Sequence, residues 1–225
     1  MESHRNAGQA RAAIVAIAPV ALLLAMISHP YLPGRLPDHA AVADAVADGT
    51  TRWALAHLAA AVASGVLVLA FIAIRGYLRE RGDPALSAIG LGFIVMGSLS
   101  YAMLPGMEFT PLAAVEIGAD PAAAQAALDD WFVPVLFIGA LLYAIGVGCV
   151  AAAIRRHGGL GPTLTWVVVL ALIVMVASRF APFAAAQFYV QSAAALIAMW
   201  PLAWVMRTGR EQAGSGGPPR QTVSA

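Results

Sequence analysis

The chain has 225 residues, 60% of them hydrophobic and 11% charged, with a formal net charge of +1. That balance excludes an ordinary soluble domain and gives no reason to expect nucleic acid as a partner. The one cysteine, Cys149, excludes an intramolecular disulfide and any multi-cysteine zinc or iron–sulfur site, and its place inside an apolar run reads as packing.

Six apolar runs are long enough to cross a bilayer: about 12–29, 53–74, 84–104, 131–154, 163–181 and 184–206. The fold class expected is therefore all-α, a polytopic membrane protein with six transmembrane helices in a compact bundle. The first run comes after Arg5 and Arg11 as a signal peptide would, but no small-residue cleavage site succeeds it, so a retained helix is expected. It ends in "ISHPYLPGRLPDH" (27–39), where Pro30, Pro33 and Gly34 stop the helix and Asp38 caps a short one, "DHAAVADAVADG", with Asp44 and Asp48 on its polar side.

The second run opens at Trp53, carries His57 one turn in, and ends in an arginine-rich segment. "GDP" at 82–84 supplies a stop glycine, a capping aspartate and a proline before the third run. That run ends in "AMLPGME", and Asp120–Pro121 then open a second short helix before Trp131. The plan of helix, LPG, short helix, helix thus occurs twice and suggests a duplicated hairpin, which alanine-rich segments also imitate. In the fourth run Ala140, Ala144, Gly148 and Ala152 recur at every fourth position, as do Ala56, Ala60 and Ser64 in the second; such small-residue stripes let helices approach closely. "GLGP" at 159–162 starts the fifth run, and "AQFYVQ" opens the sixth. A glycine-, serine- and proline-rich tail, 207–225, is expected to be disordered.

All thirteen basic residues are arginine, which with the alanine richness fits a high-GC bacterial genome. With both termini in the cytoplasm, ten arginines lie on the inner side and Arg35, Arg52 and Arg179 on the outer side. This is the positive-inside pattern of a bacterial cytoplasmic (inner) membrane protein. The tryptophans agree: Trp53 and Trp131 fall at outer helix starts, and Trp166, Trp200 and Trp204 at inner ends, as an interfacial belt requires.

No ionisable residue falls near the middle of a run, which counts against proton-coupled transport and voltage sensing. No paired-carboxylate, HExxH, GxSxG or phosphate-loop motif is present. Polar chemistry gathers instead at the outer ends: His29, His57, Tyr101, Met103, Met107, Glu108, Arg179, and Gln187 with Gln191 one turn apart. Arg179 lies about 24 Å along its helix from Thr163 by the helical rise, at the outer interface. There it either snorkels to headgroups, pairing with Glu108 or Asp130, or anchors an anionic ligand group. Gln187 and Gln191 either bond between helices or line the same pocket; Tyr31 and Tyr189 read as interfacial anchors, with Tyr189 also a candidate ligand contact. His29 and His57 are the candidate metal ligands, for a haem iron or for a transition metal completed by His39, Glu108 or a methionine.

The layout, and the segment "RWALAHLAAAVASGVLVLAFIAIRGYLRERG" (52–82) in particular, resembles six-helix bacterial integral membrane protein families of unknown function. The resemblance implies a topology and no catalytic residue. Three functions remain open: a non-enzymatic protein with an outward-facing polar pocket for a lipid, small solute or partner helix; a metal- or haem-dependent redox protein; and a facilitated small-solute transporter.

Overall fold

A computed structural model describes residues 2–215, with side chains placed for 8–208. Within these, the regular secondary structure is all helical: α1 (Glu2–Ser28), α2 (His39–Asp48), α3 (Thr50–Glu80), α4 (Leu86–Met107), α5 (Phe109–Glu116), α6 (Pro121–Ala126), α7 (Asp129–His157), α8 (Pro162–Ala177) and α9 (Gln191–Ser215). Six stretches are long and apolar enough to span a membrane, and they coincide with the six apolar runs. The protein is an integral membrane protein. Helix α9 continues to Ser215, past the tail boundary expected at 207, and residues 216–225 lie outside the described residues.

The spans form a ring in chain order. Helix α1 packs on α3, α3 on α4, α4 on α7, α7 on α8, α8 on α9, and α9 closes on α1. Large side chains such as Leu24, Leu55, Val62, Leu141 and Ile173 face outward, while alanines including Ala18, Ala63, Ala70, Ala153 and Ala195 are buried. That distribution suits lipid, because hydrocarbon tails solvate leucine as well as another leucine does and close packing of small residues holds the helices together.

The tightest contact is between α4 and α7. A Cβ added at Gly90 would stand 2.7 Å from the Gly146 carbonyl oxygen, and one at Gly97 would stand 2.6 Å from the Tyr143 amide nitrogen. Those glycines are required for backbone-to-backbone contact. The stripe expected on α7 is met only in part: Ala140 is buried, but Gly148 meets nothing within 4 Å, whereas Gly139, Tyr143, Gly146 and Val150 are turned inward. On α3 the expected stripe holds better, with Ala56 buried and Ala60 packed on the core.

Capping agrees closely with the sequence. Asp38 Oδ1 accepts from the Ala41 amide at 3.0 Å, and Asp120 Oδ1 from Ala122 and Ala123 at 2.9 and 3.2 Å. Asp83 acts from further back than expected, its Oδ2 accepting from the Ser87 amide at 2.8 Å, with Gly82 at φ +92° closing the turn before it. The two LPG segments fold differently. Leu32–Gly34 is a loop, whereas Leu104–Gly106 continues α4, with Pro105 inside the helix.

The short helices α2, α5 and α6 pack on one another at one end of the bundle. Leu32, Val42, Val46, Trp53 and Ala184 form a small separate core there. Val42 and Val46 supply the inner face of α2, while Asp44 and Asp48 face away. These helices therefore cover the bundle end, and a chamber lies beneath them.

Candidate functional site

The chamber has a volume of about 300 Å³ and lies among the ends of α1, α3, α4, α7, the turn after α8 and the start of the last span. Its wall is mostly apolar, with Leu22, Met26, Leu104, Phe132, Leu136 and Phe188, while α2 and α6 contribute Val42 and Gln125 as cover. Polar groups enter at a few places, the arrangement usual in small-molecule sites.

One such place is Arg179. Helix α8 gives way to a 3₁₀ turn, Ser178–Phe180, and this turn directs the side chain into the bundle instead of along it. Arg179 is only 7% exposed, so it does not snorkel. Its guanidinium is held between two tyrosine rings, with Cζ 4.0 Å from the Tyr101 centroid and 4.1 Å from that of Tyr143. The ion pair expected with Glu108 or Asp130 is not formed: among the described residues, no carboxylate lies within ion-pair distance of it. Nε and Nη1 are buried without a hydrogen-bond partner. Cation–π contact is worth roughly 0.5–2 kcal/mol per ring, whereas the effective penalty of burying an ion is several kcal/mol. The rings position the charge. They do not neutralise it.

A second polar group is formed by His29 and His57, which are 7% and 5% exposed. Each ring Nδ1 stands 2.7 Å from a backbone carbonyl oxygen, Pro30 for His29 and Trp53 for His57. A carbonyl can only accept, so both Nδ1 atoms carry the proton and donate it. The two Nε2 atoms face each other at 3.3 Å. Glu108 Oε2 stands 4.0 Å from His57 Nε2 and is buried with no hydrogen-bond partner. Trp53 and Phe188 pack on the pair, with ring centroids 4.4 Å from His57 and 4.7 Å from His29 respectively. Trp53 is fully buried, and its indole N–H donates to the Glu108 carbonyl at 2.8 Å. It therefore fixes α3 against the end of α4, and the expectation of an interfacial anchor fails for Trp53. Trp131, Trp166, Trp200 and Trp204 are all exposed, as a belt requires.

The remaining candidates divide. Gln191 is buried in the chamber wall. Gln187 also lines it, but its amide donates to the Ala181 carbonyl at 2.7 Å and secures the loop. Tyr189 is exposed and faces away, so it leaves the candidate set. His39 pairs with Asp129 at 3.0 Å on the chamber rim, and Met103 is exposed, which removes both from the histidine pair. Three roles escaped the sequence: Tyr101, in the wall, as a partner for Arg179; Tyr143, in the main core, as its other partner; and Gln125, in the wall, whose Oε1 is buried and unpartnered. Only a polar residue in an otherwise apolar stretch signals the last two.

Haem does not fit the pair. Axial ligands lie on opposite faces of a macrocycle, and two Nε2 atoms in direct contact leave no plane between them for it. Comparison with known proteins gives no matching family model, no matching curated protein and no matching solved structure.

Proposed function

We propose that this integral membrane protein binds a small amphiphilic anion, a carboxylate or phosphate on an apolar tail, in the covered chamber, and that Arg179 holds the charged group. The observation that carries this reading is the buried guanidinium with two unpartnered nitrogens at a largely apolar wall. An anion there gains charge-assisted hydrogen bonds in a low-dielectric setting, where they are strongest, and the apolar wall takes the tail. The arginine asymmetry supports a chamber on the outer side of a bacterial cytoplasmic membrane. Binding is favoured over passage, because Phe71, Ile94, Tyr143 and Met199 are fully buried in the main core.

The test uses chain purified in a neutral maltoside detergent, with decanoate, decyl phosphate and decyltrimethylammonium as probes. Both anions should raise the melting temperature and the cation should not. A ligand at a hundred times its Kd adds about 2.7 kcal/mol of stability. Arg179→Met, which preserves length between the tyrosines, should abolish the anion effect. Equal stabilisation of wild type and variant by the anions, or no stabilisation of either, refutes the reading.

A further inference from the structure

The histidine pair poses a chemical problem that the anion site does not solve. Both Nδ1–H groups are committed to backbone carbonyls, so each Nε2 presents a lone pair. Two lone pairs pointing at each other across 3.3 Å repel unless something positive lies between them. Three further facts favour a metal ion over a shared proton. Ligating imidazoles typically donate their other N–H to a carbonyl or carboxylate, which fixes tautomer and ring orientation, and both rings here are held in this way. Metal–imidazole bonds of about 2.0–2.1 Å at a tetrahedral angle place the two nitrogens about 3.3 Å apart, which is the separation found. A buried carboxylate oxygen without a partner, Glu108 Oε2, stands 4.0 Å from one of them.

We propose that His29 Nε2, His57 Nε2 and Glu108 Oε2 form a transition-metal site whose remaining coordination positions open onto the chamber. Two neutral imidazoles and one carboxylate suit zinc, iron(II) or cobalt(II) and disfavour calcium and magnesium, which prefer all-oxygen shells. Among the described residues no three histidine, cysteine, aspartate or glutamate side chains stand close enough as placed to hold a metal ion. The imidazoles are in place, and the carboxylate would complete the set by a side-chain movement that brings Oε2 nearer than its present 4.0 Å from His57 Nε2. The proposal rests on residues other than Arg179 and does not depend on the anion reading.

The test uses tag-free full-length chain, stripped with a chelator in neutral detergent and titrated with cobalt(II), with visible absorption and elemental analysis as readouts. One cobalt per chain, with the intense visible bands of a tetrahedral site and displacement by zinc, is expected. His29→Gln and His57→Gln should each abolish the bands, and Glu108→Gln should weaken binding about ten- to a hundredfold. His39→Ala should bind as the wild type does, which separates this site from adventitious surface histidine, and Arg179→Met should retain the cobalt bands while losing the anion effect, which separates it from the anion site. Circular dichroism of each stripped variant checks that it folds, and Glu108→Gln, nearly isosteric, decides the matter should the histidine variants unfold. No stoichiometric cobalt in folded wild type, or cobalt bands retained in both histidine variants, overturns the proposal and leaves a shared proton between the rings.

Discussion

Helices α4 and α7 meet twice, and the two meetings differ. In the middle of the bundle their backbones touch at Gly90 with Gly146 and at Gly97 with Gly139 and Tyr143, leaving no space for even one added carbon. At the chamber end the same helices present Leu104, Glu108, Phe132 and Leu136 to a cavity instead of to each other. Small residues commit the contact to helix association, the main source of packing energy in a lipid solvent. Large and polar ones hold the backbones around a space and leave donors and acceptors unmet within it. Close packing and the candidate site thus occupy different lengths of one helix pair.

Breaking the first meeting should have the largest effect. Gly146→Leu drives a branched side chain into the Gly90 carbonyl and Ile94, both 2.7 Å from the position of its Cβ. Overpacking usually costs 1–3 kcal/mol, and obstruction by backbone places this case at or above about 3 kcal/mol. Unfolding in detergent should show it as a loss of folded protein or a large fall in melting temperature. Gly148→Ala, two residues away and meeting nothing within 4 Å, should stay within about 0.5 kcal/mol of wild type. A comparable loss in both would dissolve the contrast.

Trp53→Phe comes next, because it keeps most of the ring contact with His57 but leaves the Glu108 carbonyl without its indole donor. A typical intramolecular hydrogen bond contributes about 0.5–1.5 kcal/mol, so thermal unfolding should register a fall of that size. Arg179→Met should act in the opposite sense on stability while removing anion binding. It exchanges an unneutralised buried charge for a side chain of similar length between Tyr101 and Tyr143. Replacing buried ionic groups by packed apolar ones is often neutral or stabilising, by up to about 1–4 kcal/mol when a whole ion pair goes. A melting temperature at or above wild type, measured without added anion, would mark Arg179 as kept for function. A clear fall would mark it as structural.

Much of the fold is legible in the sequence, because a bilayer imposes a length on every span and aspartate, proline and glycine mark the ends. The caps at Asp38 and Asp120 and the six apolar runs lie at the expected positions. Rotation about each helix axis is not legible. A soluble helix shows which face turns inward by polar contrast, whereas a span that is apolar all round does not. The four-residue spacing from Ala140 to Ala152 therefore finds one inward residue, Ala140, and misses Gly139, Tyr143 and Gly146, which carry the contact on α7. The chamber is legible by depth alone. His29, His57, Glu108, Arg179 and Gln191 share one end of the bundle in any six-span layout, and they do line one cavity. That two ring nitrogens face each other, and that Arg179 turns in at a 3₁₀ turn, depends on contacts between distant segments. The LPG repeat misleads for a related reason: identical tripeptides take their shape from their surroundings, and only the first leaves its helix.

The chamber rim supplies the smallest effect and the sharpest contrast with the chamber interior. His39 and Asp129 join α2 to the start of α7 across the edge of the chamber, yet their side chains are 31% and 36% exposed. Water screens such a pair, and exposed ion pairs typically contribute no more than about 1 kcal/mol. The cover is held instead by Leu32, Val42, Val46 and Trp53 packing beneath it. Asp129→Asn should therefore move the melting point little, and still less at high salt, while leaving anion binding at Arg179 and cobalt binding at His29 and His57 as they are in wild type. A large loss of either kind of binding in Asp129→Asn would mean that the rim pair, and not the small apolar core, closes the chamber, and the division between a packed cover and a polar interior would have to be redrawn at Asp129.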